Sequence, residues 1–131
     1  MRIYISSPYS SPLPNERKRN VLEAMNIALK VYQRGHTPVV PLLSHFLDTF
    51  WVARGVRAPY SFWLKEAISL LLDCDAVLFA KEWLSSRGCR IEHELVTTDA
   101  QARNGKPMKV FYDVKEIPRR QPPDDGVDKY L

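Results

Sequence analysis

Short apolar runs alternate along this chain with longer segments in which apolar residues recur every three or four positions. The short runs are typical of β-strands and lie at residues 2–6, 37–40, 76–79 and 108–111. The longer segments predict helices at residues 15–34, 61–72 and 88–104. Gly35 and Gly105 follow two of these segments, where a glycine commonly ends a helix.

Strands that alternate with helices are typical of a parallel sheet covered by helices, since each parallel connection must cross a face of the sheet. We therefore predict an α/β fold, a flavodoxin-like doubly wound parallel sheet in the order 2-1-3-4 within a three-layer α/β/α sandwich. Residues 1–117 form the predicted domain. Residues 118–131 carry too little apolar surface to pack alone, so this tail is expected to be disordered or to lie on a neighbouring subunit.

Further expectations concern the core-facing side of the first helix and an apolar surface of the domain. On the first helix, the residues predicted to face the core are Val21, Met25, Ala28, Leu29 and Tyr32. Residues 41–59 are predicted to form a long aromatic loop, and loops of this length are usually functional or mobile. The apolar side chains of this loop offer a contact for a second copy of the chain, and a homodimer is expected.

Composition and charge narrow the classes of function. A chain of 131 residues with 45% hydrophobic content fits one domain with a single core. No run approaches the roughly 20 apolar residues that cross a bilayer, and no signal peptide is recognisable, so the protein is expected to be cytoplasmic with no membrane contact. The net charge of +4 suits a small anionic ligand, and without a recognisable motif no nucleic acid polymer is expected. The histidines and cysteines show no ligand spacing, so no metal and no cofactor is expected.

Candidate chemistry lies where strands end, because ligands of open parallel sheets bind beyond the carboxyl ends of the strands. Three segments reach that edge, at residues 6–11, 61–66 and 85–88. The last one opens a helix, whose free N–H groups and dipole suit a phosphate; Ser86 either donates to that phosphate or caps the helix. Glu92 follows about one turn later, where the dipole favours a carboxylate, and it is either a nucleophile or a surface glutamate.

Three segments have the order and spacing of a known family. They are Ile3-Tyr4-Ile5-Ser6-Ser7-Pro8-Tyr9 at the first strand, Cys74-Asp75-Ala76-Val77-Leu78 at the third, and Ser86-Arg87-Gly88-Cys89-Arg90-Ile91-Glu92 at the third helix. Together they resemble the nucleoside 2-deoxyribosyltransferase-like superfamily, which includes the 2′-deoxynucleoside 5′-monophosphate N-glycosidases. The resemblance spans roughly residues 1–111 and supports the predicted fold.

The resemblance implies a set of roles for residues of this chain. Glu92 would be the nucleophile that attacks C1′ of the sugar and forms a glycosyl-enzyme, and Tyr4 would hold its carboxylate. Ser86 matches a serine that binds the 5′-phosphate in the N-glycosidases, which favours a nucleotide over a nucleoside. Tyr9 falls where the family packs a residue against the base. The implied substrate-binding residues are Ser7, Tyr9, Ser10, Ser86, Arg87 and Gly88.

The chain departs from the family pattern in three places, the first of which is Ser7-Pro8, where the family usually has a glycine or another small residue. Where the family has an aspartate that protonates the leaving base, this chain has Ala67, and Glu66 beside it is the candidate replacement. Where the N-glycosidases have a phosphate-binding arginine, this chain has Ser10, and Arg17 or Arg87 is the candidate substitute. Asp75 begins a strand at the opposite edge of the sheet and is expected to bind backbone there.

Two functions remain open on this reading. The first is a nucleotide N-glycosidase or deoxyribosyltransferase with Glu92 as its nucleophile. The second is a nucleotide-binding or sensing protein that uses the same pocket without chemistry, because Ala67 stands where an acid is expected.

Overall fold

The structure, a computed structural model, describes residues 1–98 and 105–121. Its strands are β1 (Arg2–Ser6), β2 (Thr37–Val39), β3 (Ala76–Phe79) and β4 (Lys109–Phe111). Its helices are α1 (Pro14–Gln33), α2 (Ser44–Val52), α3 (Tyr60–Leu72) and α4 (Arg87–Thr98). All strand pairs are parallel, in the order β2-β1-β3-β4, which confirms the predicted fold class and strand order. The end of the third predicted helix, residues 99–104, lies outside the described residues.

Side chains of β1 alternate between the two faces of the sheet, as they must in an extended strand. Ile3 and Ile5 pack with buried residues of α1 on one face. Tyr4 packs on the other face with the buried Leu71 of α3. All four residues of β3 are buried, as expected for a strand covered on both faces.

The inner face of α1 differs from the predicted face by a small rotation. The buried residues of this helix are Val21, Ala24, Ala28 and Val31. The longer apolar residues that were predicted to face the core are exposed, namely Met25, Leu29 and Tyr32. The helix carries two apolar stripes, and the stripe of short side chains allows a closer approach to the sheet. Among the described residues, no helix is both long and apolar enough to cross a membrane.

The segment predicted as a long aromatic loop is largely helical. A 3₁₀ turn (Pro41–Leu43) leads directly into α2, so the prediction of a loop over residues 41–59 is wrong for its first half. Trp51 of α2 packs against Trp63 of α3, with ring centroids 5.3 Å apart. A helix of nine residues is marginal on its own, so this tertiary contact helps to stabilise it.

Backbone contacts at the lower edge of the sheet fix where β1 and β3 begin. The backbone N–H of Arg2 donates to the Asp75 carboxylate at 2.8 Å, and the N–H of Asp75 donates to the carbonyl of Arg2 at 2.9 Å. Asp75 therefore binds backbone at the start of the strand, as the sequence predicted, far from the carboxyl edge.

The first residues of the predicted tail pack on their own chain. The N–H of Arg120 donates to the carbonyl of Arg34 at 2.8 Å, and the carbonyl of Pro118 lies 2.6 Å from Nε2 of the buried His36. Residues 118–121 thus differ from the expectation of a disordered tail or one docked on a neighbouring subunit. These hydrogen bonds hold the segment in place, although it carries too little apolar surface to pack by hydrophobic contact alone. The remainder of the tail, residues 122–131, lies outside the described residues.

The close approach of this segment to Gly35 gives a prediction for stability. Gly35 has a φ of +90°, and an added Cβ would stand 1.6 Å from the carbonyl oxygen of Arg120, whereas Gly55 has a φ of +80° and open space around it. Gly55→Ala should lower the free energy of unfolding by about 1 kcal/mol through its backbone conformation alone. Gly35→Ala should lower it clearly more, as measured by urea unfolding. Equal losses in the two variants would show that residues 118–121 do not pack on this turn.

Candidate active site

A pocket of about 590 Å³ opens at the carboxyl edge of the sheet. The loop after β1, the segment after β2, helices α2 and α3, and the start of α4 line it. Its volume lies within the usual range for small-molecule sites. The pocket therefore occupies the place at which ligands of open parallel sheets bind.

Glu92 lies at the floor of this pocket, and its side chain is only 6% exposed. The Ser6 hydroxyl donates to Oε1 of Glu92 at 3.2 Å. Oε2 of the same carboxyl has no hydrogen-bond partner among the described residues. The surface-glutamate alternative is thus wrong for Glu92, which is a buried acid facing a cavity.

Tyr4 lies beside Glu92 because of the alternation along β1. Tyr4 and Ser6 are two residues apart and therefore point to the same face of the sheet, which α4 covers. The Tyr4 hydroxyl is close enough to lower the pKa of Glu92, but it is not in hydrogen-bonding geometry with it, and it has no partner among the described residues. Buried polar atoms without aligned partners are rare, which marks this pair as a candidate contact for a ligand.

Burial dominates the electrostatics of this pair. It raises the pKa of Glu92 to about 7, against the lowering effect of the Tyr4 and Ser6 hydroxyls. The sequence predicted that the helix dipole would favour the ionised form, and the loss of water outweighs it. Burial, followed by the charge of Glu92, raises the pKa of Tyr4 well above its ordinary value, so its phenol stays a hydrogen-bond donor.

The start of α4 forms one wall of the pocket. The Ser86 hydroxyl accepts a hydrogen bond from the N–H of Cys89 at 3.3 Å, so it caps the helix while it also lines the pocket. The absence of a side chain at Gly88 leaves space at this wall of the pocket, because a Cβ at that position would lie 3.3 Å from the Tyr60 hydroxyl. Both readings of Ser86 are therefore compatible with this geometry.

Two arginines lie on the same wall. Arg87 and Arg90 both line the pocket and are exposed, which suits them to an anionic group that enters from solvent. Arg90 was not predicted as a site residue, although it follows Arg87 by three positions and so lies on the same face of α4. Arg17 is not among the lining residues, and its guanidinium donates to the carbonyl of Ser11 at 2.6 Å.

The loop after β1 forms the opposite wall. Ser7, Tyr9 and Ser10, which the resemblance implies as substrate-binding residues, all line the pocket. The side-chain amide of Asn20 donates to the carbonyl of Tyr9 at 3.0 Å, which ties this loop to α1. The Tyr9 hydroxyl lies 2.7 Å from Nδ1 of His45, so the phenol and the imidazole are hydrogen-bonded to each other.

His45 and Asp48 on α2 are pocket residues that were not predicted from the sequence. Both are half-buried and line the pocket. They were overlooked because their segment was predicted as a loop, in which spacing carries no information. In a helix the spacing of three positions places them on one face, and that was the available signal.

Glu66 is the one implied catalytic residue that the structure does not bring to the pocket. It is exposed on α3 and does not line the pocket, whereas Ala67 does. One residue along a helix turns the side chain by about 100°, so Glu66 points away when Ala67 faces inward. The suggestion that Glu66 replaces the missing acid is therefore wrong.

The cysteines and histidines form no visible metal site. Both cysteines are buried and free, and Cys89 lines the pocket as well as packing in the fold. Within residues 1–98 and 105–121, no group of three or more histidine, cysteine, aspartate or glutamate side chains is arranged to hold a metal ion.

Comparison with known proteins adds a family but no activity. A family model described as a domain of unknown function (DUF4406) matches residues 1–102. No curated protein and no solved structure matches the chain.

The raised pKa of Glu92 predicts how stability depends on pH. The folded state holds this proton up to about pH 7, whereas an unperturbed glutamate loses it near 4.5, so the free energy of unfolding should fall as pH rises between these values. The fall attributable to Glu92 is about 3 kcal/mol at most. Glu92→Gln should abolish it, and Glu94→Gln, an exposed neighbour, should retain it. Parallel stability curves for wild type and Glu92→Gln would contradict the burial of a titrating carboxyl.

Proposed function

We propose that this chain, which belongs to the DUF4406 family of unknown function, cleaves the N-glycosidic bond of a (deoxy)nucleoside 5′-monophosphate through a glycosyl-enzyme on Glu92. The observation that carries the proposal is the buried carboxyl at the floor of a nucleotide-sized pocket, with one oxygen held by Ser6 and the other without a partner. Burial of a carboxylate away from cations is unfavourable for stability, and such arrangements are concentrated at functional sites.

The proposed reaction has two displacement steps at C1′. Oε2 of Glu92 attacks C1′, the C1′–N bond breaks, and its electron pair leaves with the base. The Tyr4 hydroxyl, which lowers the pKa of Glu92 but forms no aligned hydrogen bond with it, moves into donating geometry on the carboxylate and orients it for attack. Water, or a second base, then attacks C1′ from the vacated side and releases Glu92. The first acceptor makes the protein a hydrolase, and the second makes it a transferase.

The walls of the pocket fit the two ends of a nucleotide. The N-terminus of α4 offers free N–H groups, the Ser86 hydroxyl, and the positive charges of Arg87 and Arg90 to a 5′-phosphate. The absence of a side chain at Gly88 lets the phosphate approach the backbone. On the opposite wall, the ring of Tyr9 offers an apolar platform to the base.

A nucleotide-binding or sensing role without chemistry is the second candidate. Ala67 lines the pocket where the family pattern has its acid, so a nucleotide in this pocket meets no carboxyl from α3. Tight binding of a nucleotide that stays intact would support this role over catalysis.

The first experiment is an incubation with a panel of ribo- and deoxyribonucleoside 5′-monophosphates, followed by chromatography for released base. We expect release from at least one nucleotide, faster than from its nucleoside. Glu92→Gln should abolish release by removing the nucleophile, and Glu94→Gln should leave it unchanged. Release that persists in Glu92→Gln would rule out the glycosyl-enzyme, and added free base separates exchange from hydrolysis.

We also propose that the protein is a homodimer that associates through α2. Phe46, Leu47 and Phe50 of this helix are each about half exposed, and the same helix carries His45 and Asp48 of the pocket. Burial of such apolar side chains by a second copy would remove them from water and cover the mouth of the pocket.

Light scattering tests the dimer and locates its interface. Wild type should have the mass of two chains, and Leu47→Glu should have the mass of one, because the buried charge would have no partner. The matched control is Leu29→Glu, on the exposed stripe of α1. Dissociation by Leu29→Glu alone would move the interface to α1, and a monomeric wild type would contradict the dimer.

A further inference from the structure

Cleavage of an N-glycosidic bond requires a proton for the departing base. Without it the base leaves with a full negative charge, and general acids contribute about 10² to 10⁴-fold in such steps. The acid of the family pattern is replaced by Ala67, and Glu66 points away from the pocket. A proton donor must therefore come from another element if the proposed function holds.

Beside Tyr9, the pocket is lined by further titratable side chains from helix α2. Among the residues that the structure describes, no other element contributes such a cluster on this side of the pocket. His45 and Asp48 line the pocket three positions apart on one face of this helix. Asp48 is the only carboxyl apart from Glu92 among the lining residues that the structure describes. Both lie on the side of the pocket where Tyr9 offers a platform to the base.

The hydrogen bond to Tyr9 determines which ring nitrogen of His45 is available. Nδ1 lies 2.7 Å from the Tyr9 hydroxyl, and Nε2 has no hydrogen-bond partner among the described residues. When the imidazole is charged, both nitrogens carry protons. Nδ1 then donates to the phenol oxygen of Tyr9, and the proton on Nε2 is the one that a ligand can accept.

The groups around His45 act on its charge in opposite directions. Burial lowers the pKa of His45, Arg17 and Lys18 lower it further, and Asp48 raises it. The net result is a pKa of His45 below its ordinary value. Asp48 is thus the carboxylate that favours the charged, proton-donating form.

We propose that His45 is the acid that protonates the leaving base, and that Asp48 is a positioning residue that stabilises its charged form. This inference rests on the proposed function. As Oε2 of Glu92 bonds to C1′ and the C1′–N bond breaks, the electron pair passes to the base, and a base nitrogen takes the proton from Nε2. The base leaves neutral and His45 becomes neutral. In the second step His45 takes a proton from the attacking water, which restores both residues.

The test compares two substrates that differ only in their need for a proton. One is the nucleotide that wild type cleaves fastest; the other is the 4-nitrophenyl glycoside 5-phosphate of the same sugar, whose phenolate leaves without protonation. His45→Gln should cleave the nucleotide about 10²-fold or more slowly and the aryl glycoside within a few-fold of wild type. Glu92→Gln should cleave neither.

The outcomes separate this inference from the proposed function. Unchanged nucleotide cleavage by His45→Gln, or an equal loss on both substrates, would overturn His45 as the acid while wild-type turnover and the loss in Glu92→Gln still supported the glycosyl-enzyme. A wild type that cleaves neither substrate would overturn both proposals. Circular dichroism and nucleotide binding establish that the variant is folded with an intact pocket.

Asp48→Asn tests the positioning role through pH. Removal of this charge lowers the pKa of His45 further, so the rate of the variant relative to wild type should be smallest at high pH and should rise as the pH falls, because protonation then restores the charged imidazole. The aryl glycoside should show no such dependence on the variant. Asp73→Asn, an exposed aspartate after α3, is the matched control. A deficit that is the same at every pH would overturn the role of Asp48.

Discussion

The burial of the Glu92 carboxyl between β1 and α4 is the constraint on which the site depends. Removal of this group from water disfavours its charge, and only the hydroxyls of Ser6 and Tyr4 lower its pKa in compensation. A carboxyl in such a place is near the balance between its two protonation states at neutral pH. The fold tolerates the unfavourable group because the sheet beneath it is fully packed on both faces.

Parallel topology explains why the remaining site residues meet at Glu92. The loop after β1, the segment after β2 and the start of α4 all emerge at the carboxyl edge, so residues far apart in the chain line one pocket. The two ends of that pocket differ in chemistry. The α4 end presents arginines and N–H groups, whereas the α2 end presents Tyr9, His45 and Asp48, and an asymmetric ligand with an anionic and an aromatic end matches this polarity.

Much of the fold was predictable because it follows from local periodicity. The strands and three of the helices have clear apolar patterns. The edge of the sheet that carries the pocket follows from the parallel order of the strands alone. Alternation along β1 places Tyr4 and Ser6 on one face of the sheet, and this signal could have predicted from the sequence that Ser6 also reaches Glu92. The pocket residues in the loop after β1 and at the start of α4 could be predicted from the sequence, because each segment directly follows or opens a predicted element.

The sequence by itself thus determined the α/β class, the strand order, and the placement of Glu92 and Ser86 near one edge, since these depend on period and chain order. Tyr4 was predicted only through the family resemblance. Only the tertiary structure decided which stripe of α1 faces the core, that residues 44–52 are helical, and that His45 and Asp48 rather than Glu66 reach the pocket. The reason is physical. Local propensity does not distinguish between two apolar stripes of one helix, or between two adjacent helix positions. Packing against a partner element decides which of them faces inward.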